Sequence, residues 1–84
     1  MSDSIETRVK AVLKSVLNVA ESAITRDARF AADLGAESIQ SVELVAAFED
    51  EFDIEMDEDD ALAVQSVGDA VTFIEACIRA QHGD

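Results

Sequence analysis

The chain has 84 residues, with 19 Asp or Glu against 6 Lys or Arg and one His, for a formal net charge of −13. So short a chain makes a single domain over 1–84 with little room for a deep catalytic cleft, and so much negative charge repels nucleic acid and anionic membranes, which are bound through Lys and Arg. A hydrophobic fraction of 49% excludes an acidic disordered tail, because that much apolar surface can offset the entropy of ordering.

Proline is absent and glycine occurs only at 35, 68 and 83, so the turn chemistry of repeated hairpins is missing and helices are favoured. Ile5, Val9, Val12, Leu13, Val16 and Leu17 follow the three-and-four spacing of one helical face, and Asp3 with Glu6 forms a capping pair, which predicts a first helix over about residues 3 to 17. The opening Met-Ser-Asp-Ser lacks the basic start and apolar core of a signal peptide, and no apolar run reaches the length of a membrane span. The expectation is a cytoplasmic protein that does not insert into membranes.

From Asn18 to Glu37 the helical period fades, leaving Ile24, Phe30 and Leu34 as isolated apolar residues, the pattern of a long loop pinned to a core. Loops beyond ~12–15 residues are uncommon in small domains and are often functional. A second periodic segment starts at Ser38, with Ser41, Val42, Leu44, Val45, Phe48 and Phe52 on one broad side that is expected to face the core. The run from Met56 to Val64 suits only a short, acidic-started helix. In the last segment Ser66 and Asp69 make a capping pair, Val67, Ala70, Val71, Ile74 and Ile78 recur at helical spacing, and Arg79 lies near the negative end. The fold class expected is therefore all-α: a small four-helix bundle of three longer helices and one short third helix, with a long loop between helices one and two.

Catalytic chemistry finds little support in these residues. His82, the only histidine, lies near the C-terminus and is expected to belong to a frayed tail, so no serine has a base to activate it. The carboxylates show no sign of the burial that separates the pKa values of an acid and a base. Asp53, Glu55, Asp57 and Asp59 alternate like a calcium loop, but the sixth position from Asp53 is Glu58 where glycine is required and the twelfth is Val64 where glutamate is required. Cys77 stands alone, with neither a disulfide nor a Cys-rich zinc site available to it, and its place beside the apolar stripe suits a small core residue. No catalytic residue and no metal site is assigned, and the chain is expected not to be an enzyme.

Two features remain. Ser38 stands where the second helix begins, a preferred place for a serine N-cap; the same place, with unpaired N–H groups and the positive dipole end, also suits a phosphate ester. On the flank of that helix away from the core stripe, Ile39 and Ala46 are surrounded by Glu43, Glu49, Asp50 and Asp53. Such an arrangement is either a solvated face with a stray isoleucine or a docking face whose charges steer encounter with a basic partner. Twelve of the 19 acids fall between Asp33 and Asp60, a stretch without Lys or Arg.

The run Asp33-Leu34-Gly35-Ala36-Glu37-Ser38-Ile39, followed by Val42-Glu43-Leu44-Val45 and Phe48-Glu49-Asp50-Glu51-Phe52-Asp53-Ile54, resembles an acyl carrier protein, and the resemblance extends over essentially the whole chain. It implies that Ser38 is the attachment point for 4′-phosphopantetheine, transferred from coenzyme A by a phosphopantetheinyl transferase, and that the arm holds acyl groups as thioesters for fatty-acid, lipid or polyketide biosynthetic enzymes. It also implies that Glu37, Ile39, Glu43, Ala46, Glu49, Asp50 and Asp53 form the surface recognised by acyl-transferring or acyl-modifying enzymes with basic docking patches. Phe30, Val45, Phe48, Met56, Ala61 and Val64 would line the space for the acyl chain. The carrier itself would be a monomer that breaks no bonds.

Several positions depart from the family pattern. The usual Asp-Ser-Leu reads Glu37-Ser38-Ile39, Gln40 replaces an acid, Ala46 a bulky apolar residue and Asp57 a proline, while Leu62 and Ala63 make the third helix more apolar than is usual. The departures imply a carrier for a dedicated pathway. Two other readings fit the same residues: a peptidyl or aminoacyl carrier, and an acidic interaction module that does not use the arm.

Overall fold

In the computed structural model, which describes residues 2–83 with side chains from residue 5 onward, the chain folds into α1 (Ser2–Leu17), α2 (Ser38–Phe52), α3 (Glu58–Ala63) and α4 (Val67–His82). The all-α expectation holds, with α3 the short helix and 18–37 the long connection. Among the described residues the only extended pairing is one antiparallel bridge between Arg29 and Ser66.

The stripe in α1 works as its spacing requires. Val9, Leu13 and Leu17, four apart, are buried, and Ile5, Val12 and Val16 pack along their edges. Asn18 closes the helix in the left-handed region, with φ 55°, and its N–H reaches the Lys14 carbonyl at 2.9 Å; asparagine is among the few residues that adopt this conformation readily. The side chain of Asp3, half of the expected capping pair, lies outside the described residues. Glu6, the other half, forms ion pairs with Lys10 and Arg26.

α4 supplies the opposite wall. Val67, Ala70, Val71 and Ile74 are buried, and the Ser66 hydroxyl accepts the Asp69 N–H at 3.3 Å, as the capping pair predicts. Val9, Leu13, Val67 and Ile74 are the most deeply enclosed side chains of the core. At the far end of α2 the Arg8 guanidinium lies 4.5 Å from the centre of the Phe52 ring and pairs with Glu51, which ties α1 to α2.

The connection 18–37 is held along its length. After a one-turn 3-10 helix at Glu21–Ala23, Ile24, Ala28 and Leu34 are buried and Phe30 half-buried; Ala28 joins the expected anchors. Phe30 N–H donates to the Gln65 carbonyl, Val67 N–H to Ala28 and Gly68 N–H to Arg26, at 2.9 to 3.0 Å. A Cβ at Gly68 would lie 3.1 Å from the Arg26 carbonyl oxygen, so glycine there permits the approach.

The end of α4 corrects one expectation. His82 is docked, its Nε2 2.8 Å from the Asp53 carbonyl oxygen. Beside it the Gln81 amide both accepts the Glu55 N–H and donates to the Glu55 carbonyl, each at 2.7 Å. The last turn of α4 thus clamps the link between α2 and α3. Cys77 is half-buried against the core, as its spacing suggests, and burial pushes its thiol up from the usual range.

Candidate functional site

The approach to Ser38 is a tight, internally bonded turn. The N–H groups of Asp33 and Leu34 both donate to the Arg29 carbonyl, Ala36 N–H donates to Phe30, and the Asp33 carboxylate accepts the Arg29 N–H at 2.8 Å. Gly35 has φ 71°, a conformation that side chains with a Cβ rarely adopt. Burial of Leu34 anchors the turn.

Here the structure corrects the capping role assigned to Ser38. The N-cap is Glu37, in an extended conformation, and its N–H donates to Gln40 Oε1 at 2.9 Å. Ser38 is the first residue of the helix proper and is exposed. Capping therefore falls to Glu37 and Gln40, leaving the Ser38 hydroxyl outside the cap, at the positive end of a 15-residue helix. An anionic ester on that oxygen would face the unpaired N–H groups of the first turn. The departure of Gln40 from an acidic residue finds a local reason, since its side chain closes the cap.

Along α2 the predicted recognition residues divide. Ile39 is 67% exposed, and Glu43, Ala46, Asp50 and Asp53 are exposed around it. Asp53 closes the helix in the left-handed region, with φ 54°. Glu49 behaves differently: it is half-buried, and its carboxylate accepts the Met56 N–H at 2.8 Å, so it holds the link to α3.

Val42 also departs from expectation. It was assigned to the core stripe, yet it is 47% exposed. Taking about 100° per residue, it lies about 40° around the helix from Ser38, whereas the buried Leu44, Phe48 and Phe52 lie at about 240° to 320°. Val45, at about 340°, sits at the boundary, and Ser41, at about 300°, lies within the buried arc; both are half-buried. On α3, whose first turn is capped by the Asp57 carboxylate accepting the Asp60 N–H at 3.1 Å, Leu62 is 42% exposed. Among the described residues Ile39, Val42 and Leu62 are the large apolar side chains left most open to solvent. Of the twelve acids between Asp33 and Asp60, the ion pairs among the described residues take in only Glu51.

Behind this face Phe30, Val45, Phe48, Met56, Ala61 and Val64 all border one apolar cavity of about 40 Å³, which Leu44 and Phe73 help to enclose. An apolar guest of benzene size occupies a cavity of ~150 Å³, so more than a small guest requires the walls to part. The thinnest wall is α3, six residues long with three consecutive acids in its first turn. Among the described residues no group of three or more His, Cys, Asp or Glu is placed to hold a metal ion, and no helix is long and apolar enough to cross a membrane.

The sequence profile described as the phosphopantetheine attachment site matches residues 7–74. The acyl carrier protein of Akkermansia muciniphila is 49% identical over 76 residues, which cover 89% of this chain and 95% of that protein. Among solved structures, a chain from Mycobacterium tuberculosis assigned as an acyl carrier protein superposes with a TM-score of 0.80 at 30% identity, over 86% of this chain and 96% of the other.

Proposed function

Since this chain belongs to the acyl carrier protein family, we propose that Ser38 bears its 4′-phosphopantetheine arm and that the exposed face of α2 and α3 presents the arm to partner enzymes. The family identity makes the chain a carrier of acyl groups rather than an enzyme. When attached, the arm supplies a thiol on which an acyl group is held as a thioester. The observation that carries the assignment is the position of Ser38: exposed, first in a 15-residue helix, relieved of capping by Glu37 and Gln40, and set within the motif Asp33 to Ile39.

The residues of the chain bind and orient. The N-terminal dipole of α2 favours the phosphodiester, the tight turn at Gly35 fixes the approach, and tethering raises the effective concentration of the acyl group at each partner. Glu37, Glu43, Asp50 and Asp53, with Ile39, Val42 and Ala46 between them, suit fast and weak contact with basic patches on a phosphopantetheinyl transferase and on acyl-transferring or acyl-modifying enzymes. Glu49 contributes by holding the α2–α3 link. Phe30, Val45, Phe48, Met56, Ala61 and Val64 are proposed to line the acyl chain's resting place. A radius of gyration of 11.7 Å against about 11.9 Å expected for one compact unit of this length supports a single carrier domain. We read it as a cytoplasmic monomer, and the changed residues at Glu37, Ile39, Gln40 and Ala46 support service to a dedicated pathway.

Incubation with coenzyme A and a broad-specificity phosphopantetheinyl transferase, followed by intact-mass measurement, tests the assignment. The expected result is one added arm on the wild type and none on Ser38→Ala. An unmodified wild type, or an arm retained by Ser38→Ala, would overturn it.

A further inference from the structure

The interior cavity does not end blindly. Four of its residues, Phe30, Ser41, Leu62 and Val64, also line an open groove of about 310 Å³ between residues 29–32 and α3. A second groove, of about 290 Å³, lies between α2 and α3 but shares only Val45 and Met56 with the cavity.

The two sides differ in chemistry as well as in continuity. The α2–α3 groove is flanked by the carboxylates of Glu49 and Glu58, and the Glu49 side chain is tied to the Met56 backbone across it. An alkyl chain passing there would strip water from two acids. On the other side the rim carries the methyl groups of Ala31 and Ala32 together with Gln65 and Arg29, whose charge sits at the end of a long apolar stem that can lie along hydrocarbon while the head stays in water, and Ser41 lies one helical turn beyond Ser38. Leu62 stands between that groove and the cavity, with 42% of its surface in water although its side chain is wholly apolar. A hydrocarbon lying in the groove would cover it.

We propose that Leu62 is the specificity-determining gate of this carrier, and that the acyl chain passes into the core between residues 29–32 and α3, by displacement of the Leu62 side chain. This rests on the reading of Ser38 as the attachment point. The gate decides which chains are sheltered: a short acyl group stays in solvent, whereas a longer one moves Leu62 aside, joins groove to cavity and buries its terminal methylenes.

Acetyl and octanoyl arms can be installed from the corresponding coenzyme A thioesters on the wild type, Leu62→Trp, Leu62→Glu and Glu58→Trp, with cleavage of each thioester by hydroxylamine followed by intact mass. In the wild type the octanoyl thioester is expected to react about tenfold more slowly than the acetyl one, the bias that burying about two methylenes produces. Leu62→Trp, which plugs the gate, and Leu62→Glu, which makes it polar, should each bring the octanoyl rate to the acetyl rate, and Glu58→Trp should preserve the difference. Because Leu62 is substantially exposed, circular dichroism should show the helices retained; if the tryptophan variant loses them, the glutamate variant decides. Equal acetyl and octanoyl rates in the wild type would overturn the gate and leave the carrier reading standing. Protection that survives both Leu62 variants, or that disappears only in Glu58→Trp, would place the way in elsewhere. Failure of every protein to load would instead overturn the assignment of Ser38.

Discussion

α1 and the connection that follows it handle charge in the opposite way from α2 and α3. In the first region all three cations of α1, Arg8, Lys10 and Lys14, are in ion pairs, as is Arg26 in the connection. In the second, one of the ten acids from Glu43 to Asp60 is paired, and Ile39, Val42 and Leu62 stand exposed near the rest. The net charge is therefore the property of one face. Exposed ion pairs contribute little to stability, so the first region is held chiefly by Val9, Leu13 and the buried α4 residues of the same core. The unneutralised face repels itself, a burden that makes sense where the missing cations arrive with a partner.

The comparison breaks most readily at its stable side. Ile74→Ala, at a fully buried position, should cost ~2–5 kcal/mol through lost contacts and a residual cavity, a large part of the ~5–15 kcal/mol typical of a folded domain. Urea denaturation should show this, while the rate of arm transfer per folded molecule stays unchanged. Glu43→Lys combined with Asp50→Lys should do the reverse: at low ionic strength arm transfer should slow about tenfold with helical content unchanged. Wild type and variant should converge as salt rises. Arg8→Ala removes an exposed ion pair and the contact with the Phe52 ring, and should cost about 1 kcal/mol or less in thermal or urea unfolding without altering transfer. A change in transfer as large as that of the lysine pair would show that the two regions do not divide the work as described.

The long helices were legible because their apolar residues repeat over three or four turns and because the Ser66–Asp69 pair marks a start. The site was partly legible. Ser38 and the acidic flank of α2 could be found from the motif and the helical angles. Val42 could not be placed correctly, because a broad apolar stripe does not say which of its edges will be covered, and α3 is too short to cover this one. The start of α2 at Ser38 was read correctly, but its cap was placed one residue late, on Ser38 instead of Glu37, since glutamate is a less usual cap than serine and its partner Gln40 looked like a change in the docking face. The tethering contacts of Glu49, Gln81 and His82 were out of reach for a different reason: their partners, Met56, Glu55 and Asp53, lie 7, 26 and 29 residues away, beyond any local spacing rule. Leu62 was visible as an unusually apolar residue of the third helix, but its position between groove and cavity depends on the packing of 29–32 against α3.

The central claim is that the acidic, partly apolar face of α2 and α3 is the docking surface that surrounds the arm on Ser38. Titration of the ¹⁵N-labelled protein with a catalytically inactive phosphopantetheinyl transferase, followed by amide chemical shifts, tests it most directly. The largest changes should fall at Ile39, Val42, Glu43, Ala46, Asp50 and Leu62 and should fade with added salt, while Lys10, Lys14 and Arg26 remain in place. Changes centred on α1, or changes on α2 that salt does not weaken, would contradict the claim.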